Sequence, residues 1–508
     1  MHPRKFVRDS LGFTLAQYAL RVLLMARGIV AARLLGPMPY GAWNALQLMM
    51  DYGAFSTLGT QQGLDQAVPA RIVDADAAQL ERLKQAGLFN IILMSALFAG
   101  GCLLFLVVRP SRIIGYWGVG GAVLALTCVV LTNVANFHTT LLRSHGDIAA
   151  VSLWFLIQGA IGAILGLALV PSMGPWGLLT GWAVGTAVST AFVRFTGRRV
   201  VPVMPRPSVD GLTLLRVGFP MFVFMGSALV MRSIDRVIIL KFLGTTALGY
   251  YSLAVMALTF MLYLPDSIGF VLYPRLLLDF RRGDNRPEAI RSRVERSLRA
   301  LAVVMPGLCG IAFLVAREAV MAVLPRFVLG VTAVRVLCFG AAALTLGNLS
   351  SIVLMTLGRQ NLLVPAALAM TAIGAGLDIL AVRAGFDISG VARATLVTYT
   401  VNGVLLLWLA CRGLQIEGRH CARLIGSALL PLATGGALAY VIDRVLPWAD
   451  DAPRLMLFVR LTVALALFVP IYGALMLPLL RGLGLRQVAR ELQLPFPFFG
   501  SRAEAPRT

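Results

Sequence analysis

Two stretches of this chain carry one pattern: RLLGPMPYGAW at Arg33–Trp43 and KFLGTTALGYY at Lys241–Tyr251, 208 positions apart. Both read basic residue, any residue, Leu, Gly, four residues, Gly, any residue, aromatic. Each copy follows an apolar run of about 20 residues, the length that crosses a bilayer, and precedes another. Each therefore marks a tight turn between two membrane helices. A turn written twice at this distance reads as a duplicated chain of two halves, the plan of a transporter.

Composition agrees with a membrane solvent. The chain is 58% hydrophobic, with mean hydropathy +0.82 and 13% charged residues, where soluble domains carry about 25% charge. The 508 residues leave room for roughly fourteen spans, among them 11–32, 41–64, 211–242, 249–272, 300–316, 424–442 and 457–479. The net charge of +22 would suggest a nucleic-acid partner in a soluble protein. Here the basic residues gather in the segments that a cytoplasmic N-terminus places inside, which is the positive-inside distribution, and no nucleic acid is expected. Arg21 and Arg27 interrupt the first run, so it is expected to stay in the membrane rather than be cleaved as a signal peptide. The six cysteines form no CxxC pair and stand near no His cluster, so they read as packing residues; no metal and no cofactor is expected.

Weaker echoes support the duplication: Gly146 with Gly358, and Gly177 with Gly390. Six spans per repeat place the two copies in parallel orientation. The fold class is all-α, a polytopic membrane protein of about 14 helices with two parallel six-helix repeats. The division expected is an N-terminal six-helix bundle at 1–205, a C-terminal one at 206–420, accessory helices at 421–482 and a cytoplasmic tail at 483–508. The accessory pair reads either as packed against one bundle or as a groove for a lipid tail. The Pro- and Arg-rich stretch Arg198–Ser208 suits a hinge or strap. Arg286–Leu301 carries Ile290, Val294, Leu298 and Leu301 at helical spacing opposite four arginines, the pattern of a basic helix lying on anionic lipid. The PFPFFG of the tail reads as a surface anchor.

Ionisable side chains inside spans cost roughly 2.5–3.5 kcal/mol each and so mark cavities. Gln17, Arg21 and Arg27 fall in span 1; Asn44, Gln47 and Asp51 share one face of span 2; Asn133, Asn136 and His138 lie in span 4. Span 7 carries Arg232, Asp235 and Arg236, spaced so that Arg232 reaches both others, and span 8 carries a stripe of Ser252, Thr259, Tyr263 and Asp266. Asp378, Arg393, Thr395, Thr398 and Asn402 have less pattern behind them. The candidate cationic cavity comprises Arg21, Arg27, Gln47, Asp51, Asn133, Arg232, Asp235 and Arg236, and Asp51, Asp235 and Asp266 are the candidates for ion coupling. Plainer readings stand beside these: an Asp235–Arg236 ion pair that fixes packing, Arg21 or Arg27 snorkelling or paired with Asp51, interfacial anchoring for Arg33 and Lys241, and a structural His138. Guanidinium suits phosphate, so an anionic lipid-linked headgroup fits such a cavity better than a cationic drug.

The segment ARLLGPMPYGAW with Gly59 and Gly63 behind it, SIDRVIILKFLGTTALGYYSLA at Ser233–Ala254, the later LGRQ and the ISGVARATL from Ile388 together resemble the Wzx-type polysaccharide exporters. These are the oligosaccharide flippases of the multidrug/oligosaccharidyl-lipid/polysaccharide (MOP) exporter superfamily, and the resemblance runs the length of the chain. It implies a MATE-like, V-shaped pair of bundles working by alternating access. It also implies a non-enzymatic task, moving an undecaprenyl-diphosphate-linked oligosaccharide from the cytoplasmic to the periplasmic leaflet of the bacterial inner membrane for surface polysaccharide synthesis. The partners implied are that lipid-linked oligosaccharide, membrane lipids, a polysaccharide polymerase and a chain-length regulator. By the same resemblance Asp235 and Arg236 hold the family's second-half Asp-Arg position, and Arg21 and Arg27 resemble cavity-facing arginines of helix 1. One departure is that Arg27 stands where the second half has Asp235. A multidrug antiporter and a lipid II flippase are rival readings within the superfamily. A membrane O-chain polymerase or ligase needs a large external loop, for which the connections are too short.

Overall fold

The computed structural model describes residues 20–73, 76–108, 112–196, 203–446 and 454–481. Gln17, the tail after 481 and Arg198–Pro202 of the linker lie outside the described residues. Every regular element among those described is helical: α1 (20–35), α2 (Pro37–Gly53), α3 (Thr60–Val73), α4 (Ala77–Val108), α5 (Arg112–Ser144), α6 (Ile148–Met173), α7 (Pro175–Thr196), α8 (Asp210–Met231), α9 (Ile234–Phe242), α10 (Gly244–Arg282), α11 (Glu288–Val323), α12 (Val331–Thr356), α13 (Leu363–Arg383), α14 (Ile388–Gly413), α15 (Gly418–Val445) and α16 (Arg454–Arg481).

Twelve helices among the described residues are long and apolar enough to cross a membrane, and the chain is a multi-pass membrane protein. Of the fourteen spans expected, 11–32 falls on α1, whose first residues are not described, and 41–64 falls on the broken pair α2–α3.

The two motif copies form turns of one kind. Gly36 (φ +78°) separates α1 from α2 and Gly244 (φ +87°) follows α9 at the start of α10, a left-handed backbone that costs glycine nothing. Pro37 then opens α2, where a missing N–H leaves no hydrogen bond unmade. Left-handed glycines also recur at Gly146 and Gly358 and at Gly174 and Gly385, close to the landmarks read from sequence. The second glycine of each copy has a separate task. A Cβ on Gly41 would lie 1.8 Å from the Thr245 carbonyl oxygen, and one on Gly249 would lie 1.9 Å from that of Pro37. The two copies thus pack backbone to backbone, and Phe327 closes over them, edge-on to Tyr40 (centroids 5.9 Å) and to Tyr250 (6.1 Å).

By packing, the chain forms two compact units. The first comprises Met1–Ser252 with Val323–Phe327, the second Leu253–Ala322 with Val328–Thr508. The division falls inside α10, so the boundary expected at 205/206 lies within the first unit. In the first unit α6 packs along α7, α3 against α8, and α5 against α2, α4 and α7. In the second, α12 and α13 pack on α14.

Two spans read as continuous are broken. α2 ends at Gly53, and the chain passes through Leu58 (φ +49°) and Gly59 (φ +100°) before α3 begins. The break is supported by a neighbouring donor: Asn133 Nδ2 on α5 lies within hydrogen-bond distance of the Gly53 carbonyl (3.1 Å) and Ser56 Oγ (3.1 Å) of the break, and of Ser95 Oγ on α4 (2.9 Å). The run at 211–242 divides into α8 and α9 at Arg232–Ser233, where Ser233 Oγ turns back to the Leu229 carbonyl at 2.8 Å.

The basic segment at 286–301 is not a separate interfacial helix but the start of α11, whose 36 residues make it about 54 Å long, well beyond the hydrocarbon thickness. Ile290, Val294, Leu298 and Leu301 are all buried, and Val294 and Leu298 share a pocket lining with Leu349, Val353, Leu407 and Leu424. On the polar side Arg293 pairs with Asp279 at 2.8 Å and Arg291 with Glu295 at 3.0 Å.

α15 and α16 are anchored within the second unit. Tyr472 and Phe468 stack (centroids 5.5 Å, 9°) against Gly307 and Gly310 of α11, and the Tyr472 hydroxyl donates to the Val303 carbonyl at 2.8 Å. A half-buried ion network adds to this: Asp443 of α15 takes Arg335 of α12 in a two-pronged pair at 2.9 Å and Arg460 of α16 at 2.9 Å, while Arg460 also reaches Glu318 of α11 at 2.7 Å. No spacing in the sequence joins these four residues.

Candidate functional site

The first unit encloses a cavity of about 120 Å³ whose polar walls are Arg27, Gln47, Asp51 and Thr132, with Trp43 and Trp182 as its aromatic walls. α1 supplies the guanidinium, α2 the row Trp43, Gln47 and Asp51, α5 the threonine and α7 the second indole. Local sequence explains the pairing of Arg27 with Trp43. The first lies nine residues before Gly36 and the second seven after it. At 1.5 Å per residue the two helices carry them about 13 and 10 Å back from the turn, to nearly the same level.

Arg27 is 8% exposed, and its guanidinium carbon lies 5.6 Å from the Trp43 ring centroid and 5.5 Å from that of Trp182. Each such contact gives about 0.5–2 kcal/mol, so the two together offset much of the roughly 2.5–3.5 kcal/mol cost of a guanidinium within a membrane span. The rings stabilise the charge without satisfying its hydrogen bonds. Nη1 is buried and has no partner among the described residues, and the same holds for the Thr132 hydroxyl and the Trp182 Nε1. Three donors of one small cavity therefore lack an acceptor, a state costing about 1–3 kcal/mol per group and relieved by an acceptor-rich ligand.

Asp51 stands at the edge of this cavity. Its Oδ2 lies 3.9 Å from Arg236 Nη1 on α9, and its side chain is 36% exposed against 13% for Arg236. The next residue, Tyr52, ties α2 to the break between α8 and α9, its hydroxyl 2.7 Å from Ser233 Oγ.

The other candidates are distributed differently. Asn133 belongs to the polar knot at the α2–α3 break, apart from the cavity. Asp235 is 3% exposed and already engaged: Tyr251 donates its hydroxyl to Oδ2, and the Arg236 backbone N–H donates to Oδ1 at 2.7 Å. Arg232 does not share a helical face with Asp235 and Arg236, because it caps α8 where the helix ends. Arg21 is half-buried on α1 and does not line the cavity. Asn44 donates back to the Tyr40 carbonyl at 2.8 Å, and His138 Nδ1 lies 2.8 Å from the Val134 carbonyl of its own helix. Asp266 is exposed in the second unit, accepting from Asn348 at 3.3 Å. On α10 Ser252 is buried and bonds its own helix while Thr259 is exposed, so the expected stripe is not one surface.

Of the residues lining this cavity, Arg27, Gln47 and Asp51 are among the sequence candidates, whereas Trp43, Trp182 and Thr132 are not. Trp43 was visible as the aromatic that ends the first motif copy. Nothing near Trp182 or Thr132 distinguishes them from other span residues.

A family model described as polysaccharide biosynthesis protein matches residues 30–330. No curated protein matches the chain. Among solved structures, the chain is similar to an inward-facing multidrug resistance MATE family transporter of the MOP superfamily (15% identity, 78% of this chain and 94% of that one, TM-score 0.62). It is similar to the lipid II flippase MurJ in an inward closed conformation (13% identity, 92% and 99%, TM-score 0.65). It is also similar to a MOP superfamily transporter from Pyrococcus furiosus (14% identity, 80% and 95%, TM-score 0.53). At such identities these likenesses establish the fold, an all-helical MOP-type transporter fold.

Proposed function

Since the chain belongs to the polysaccharide biosynthesis protein family, we propose that it is a flippase for an undecaprenyl-diphosphate-linked oligosaccharide, moving that headgroup across the bacterial inner membrane by alternating access. The observation that carries this reading is the unpartnered Nη1 of Arg27, buried between two indoles at a cavity whose lining residues Thr132 and Trp182 also carry a buried, unpartnered hydroxyl and N–H. Phosphoryl oxygens are the acceptors such a set of donors lacks, and guanidinium binds them through paired hydrogen bonds.

The residues divide the work. Arg27 holds the negative charge, and the rings of Trp43 and Trp182 keep water from competing with it. Gln47 and Asp51 offer both hydrogen-bond senses to hydroxyl groups alongside. A cavity of about 120 Å³ takes a phosphoryl group with a few waters and excludes a sugar chain. The sugars enter only in a state in which the cavity is wider, while the prenyl tail stays in lipid. Both termini lie in the cytoplasm in this scheme, and a polysaccharide polymerase and chain-length regulator receive the product on the far side.

The test is Arg27→Ala beside Arg27→Lys in the native host. The alanine variant is expected at normal abundance with lipid-linked repeats accumulating in the cytoplasmic leaflet, and lysine is expected to restore part of the export. Normal surface polysaccharide in the alanine variant would sink the assignment. Arrest of cell-wall synthesis instead of polysaccharide export would transfer the same site to a lipid II substrate, and altered drug resistance alone would make it a drug exporter.

A further inference from the structure

Arg236 is the second guanidinium near the cavity, and its surroundings are unfinished. Its Nε is buried without a hydrogen-bond partner among the described residues, and its Nη1 reaches Asp51 only at 3.9 Å, a distance of charge attraction rather than a hydrogen bond. The acid beside it in sequence attracts its charge but gives it no side-chain hydrogen bond: Asp235 takes the Tyr251 hydroxyl on Oδ2 and the Arg236 backbone N–H on Oδ1. Asp51, in contrast, has one side toward Arg236 and the other toward the cavity that holds Arg27. The geometry between the two helices is set independently. The Tyr52 hydroxyl meets Ser233 Oγ at 2.7 Å, and Ser233 is the residue that enters α9, three positions before Arg236.

Resting on the reading of the Arg27 cavity as an anion seat, we infer that Asp51 is a placeholder: its carboxylate holds Arg236 while the cavity is empty, and a phosphoryl group bound at Arg27 takes Arg236 over. Asp51 and the ligand compete for one guanidinium. The carboxylate lowers affinity slightly but brings Arg236 back to its place when the ligand leaves, so release is assisted by a group already in position. Because the exchange moves a side chain on α9, occupancy of the cavity is felt at the α8–α9 break.

The experiment titrates the purified full chain with inorganic pyrophosphate and, in a second arm, with a polyprenyl diphosphate in mixed micelles. Asp51→Asn keeps shape and removes charge. It is expected to tighten both ligands about two- to fivefold, the range of a stretched and partly exposed ion pair. Arg236→Gln alone is expected to weaken binding, and in Asp51→Asn/Arg236→Gln the gain is expected to vanish, a cancellation that general loosening of the fold would not produce. Unchanged or weaker binding in Asp51→Asn, or a gain that survives loss of Arg236, overturns the exchange. Arg27→Ala separates the two levels of the argument: if it leaves binding intact, the anion seat itself is wrong, whereas if it abolishes binding and Asp51→Asn has no effect, only the exchange falls. Binding of the lipid diphosphate without pyrophosphate binding would attribute recognition to the tail and overturn the exchange as well.

Discussion

Tyr251 holds Asp235 from 16 positions further along the chain, the same separation at which Trp43 lies over Arg27. In each copy of the motif the terminal aromatic reaches back across the glycine turn to the ionisable residue of the preceding helix. The geometry is repeated and the chemistry is not. A phenol satisfies a carboxylate through a hydrogen bond, while an indole face stabilises a guanidinium and leaves its N–H groups free. One copy therefore closes a structural contact and the other leaves a binding group open.

If Tyr251 is structural in this sense, Tyr251→Phe removes a donor from a buried carboxylate and costs about 1–3 kcal/mol. The expected outcome is a lower Tm in detergent with pyrophosphate binding unchanged. A parallel loss of binding at constant Tm would place Asp235 in the site instead.

Trp182→Phe retains a ring beside Arg27 and removes the unpartnered Nε1 donor. Thermal stability should rise slightly or remain level, because an unsatisfied buried group is lost. Diphosphate affinity should fall several-fold, as read by titration of the purified protein.

Alanine at Gly41 or Gly249 sets a methyl group against the backbone of the other motif copy, and neither carbonyl can move aside as a side chain would. We expect at least about 1–3 kcal/mol of destabilisation and poor membrane expression from either change. Gly100→Ala on α4, where nothing lies within 4 Å, is the control and should stabilise by about 0.5–1 kcal/mol.

Asp443 is shared by Arg335 and Arg460, so Asp443→Asn leaves two half-buried guanidinium groups with reduced compensation, although Arg460 keeps Glu318. The cost is expected below the roughly 3–5 kcal/mol of breaking a fully buried pair. The expected signs are a lower Tm and proteolytic cleavage at the connections flanking α15. Unaltered resistance to protease would show that the stacked Tyr472 and Phe468 are sufficient to hold the pair.

Asp387 caps α14, accepting from the Ser389 backbone N–H at 2.9 Å and from its hydroxyl at 2.6 Å. The Ser389 hydroxyl, aided by the backbone N–H groups, holds the carboxyl below its ordinary range despite partial burial. A carboxyl whose pKa is lower in the folded state contributes stability above its unfolded pKa, and that contribution is lost as pH falls through the folded value. Asp387→Ala should therefore cost about 1 kcal/mol near neutral pH. The difference from the unaltered protein should shrink below about pH 4, as followed by Tm across a pH series.

Hydrophobic run length is a property of some twenty residues together, so the spans, the turns at Gly36 and Gly244 and the membrane class were legible in the chain as written. Arg27 and Asp51 were legible for a related reason, because a charge inside an apolar run needs an explanation wherever it folds. The broken helices were not. A break forfeits only a few backbone hydrogen bonds, and the side chains that meet the broken segments at 53–56 and 233, Asn133, Ser95 and Tyr52, come from other helices.

By itself the sequence determined that this protein lies in a membrane, where its apolar runs lie and which charges they carry, since the cost of exposing backbone and charge to hydrocarbon depends on composition and not on neighbours. Only the tertiary structure decided which charges are satisfied. Asp235 is satisfied by Tyr251, Asp51 is loosely paired with Arg236, and Arg27 stands between two indoles with a donor to spare, because partnership at hydrogen-bond range is set by helix packing and not by position along the chain.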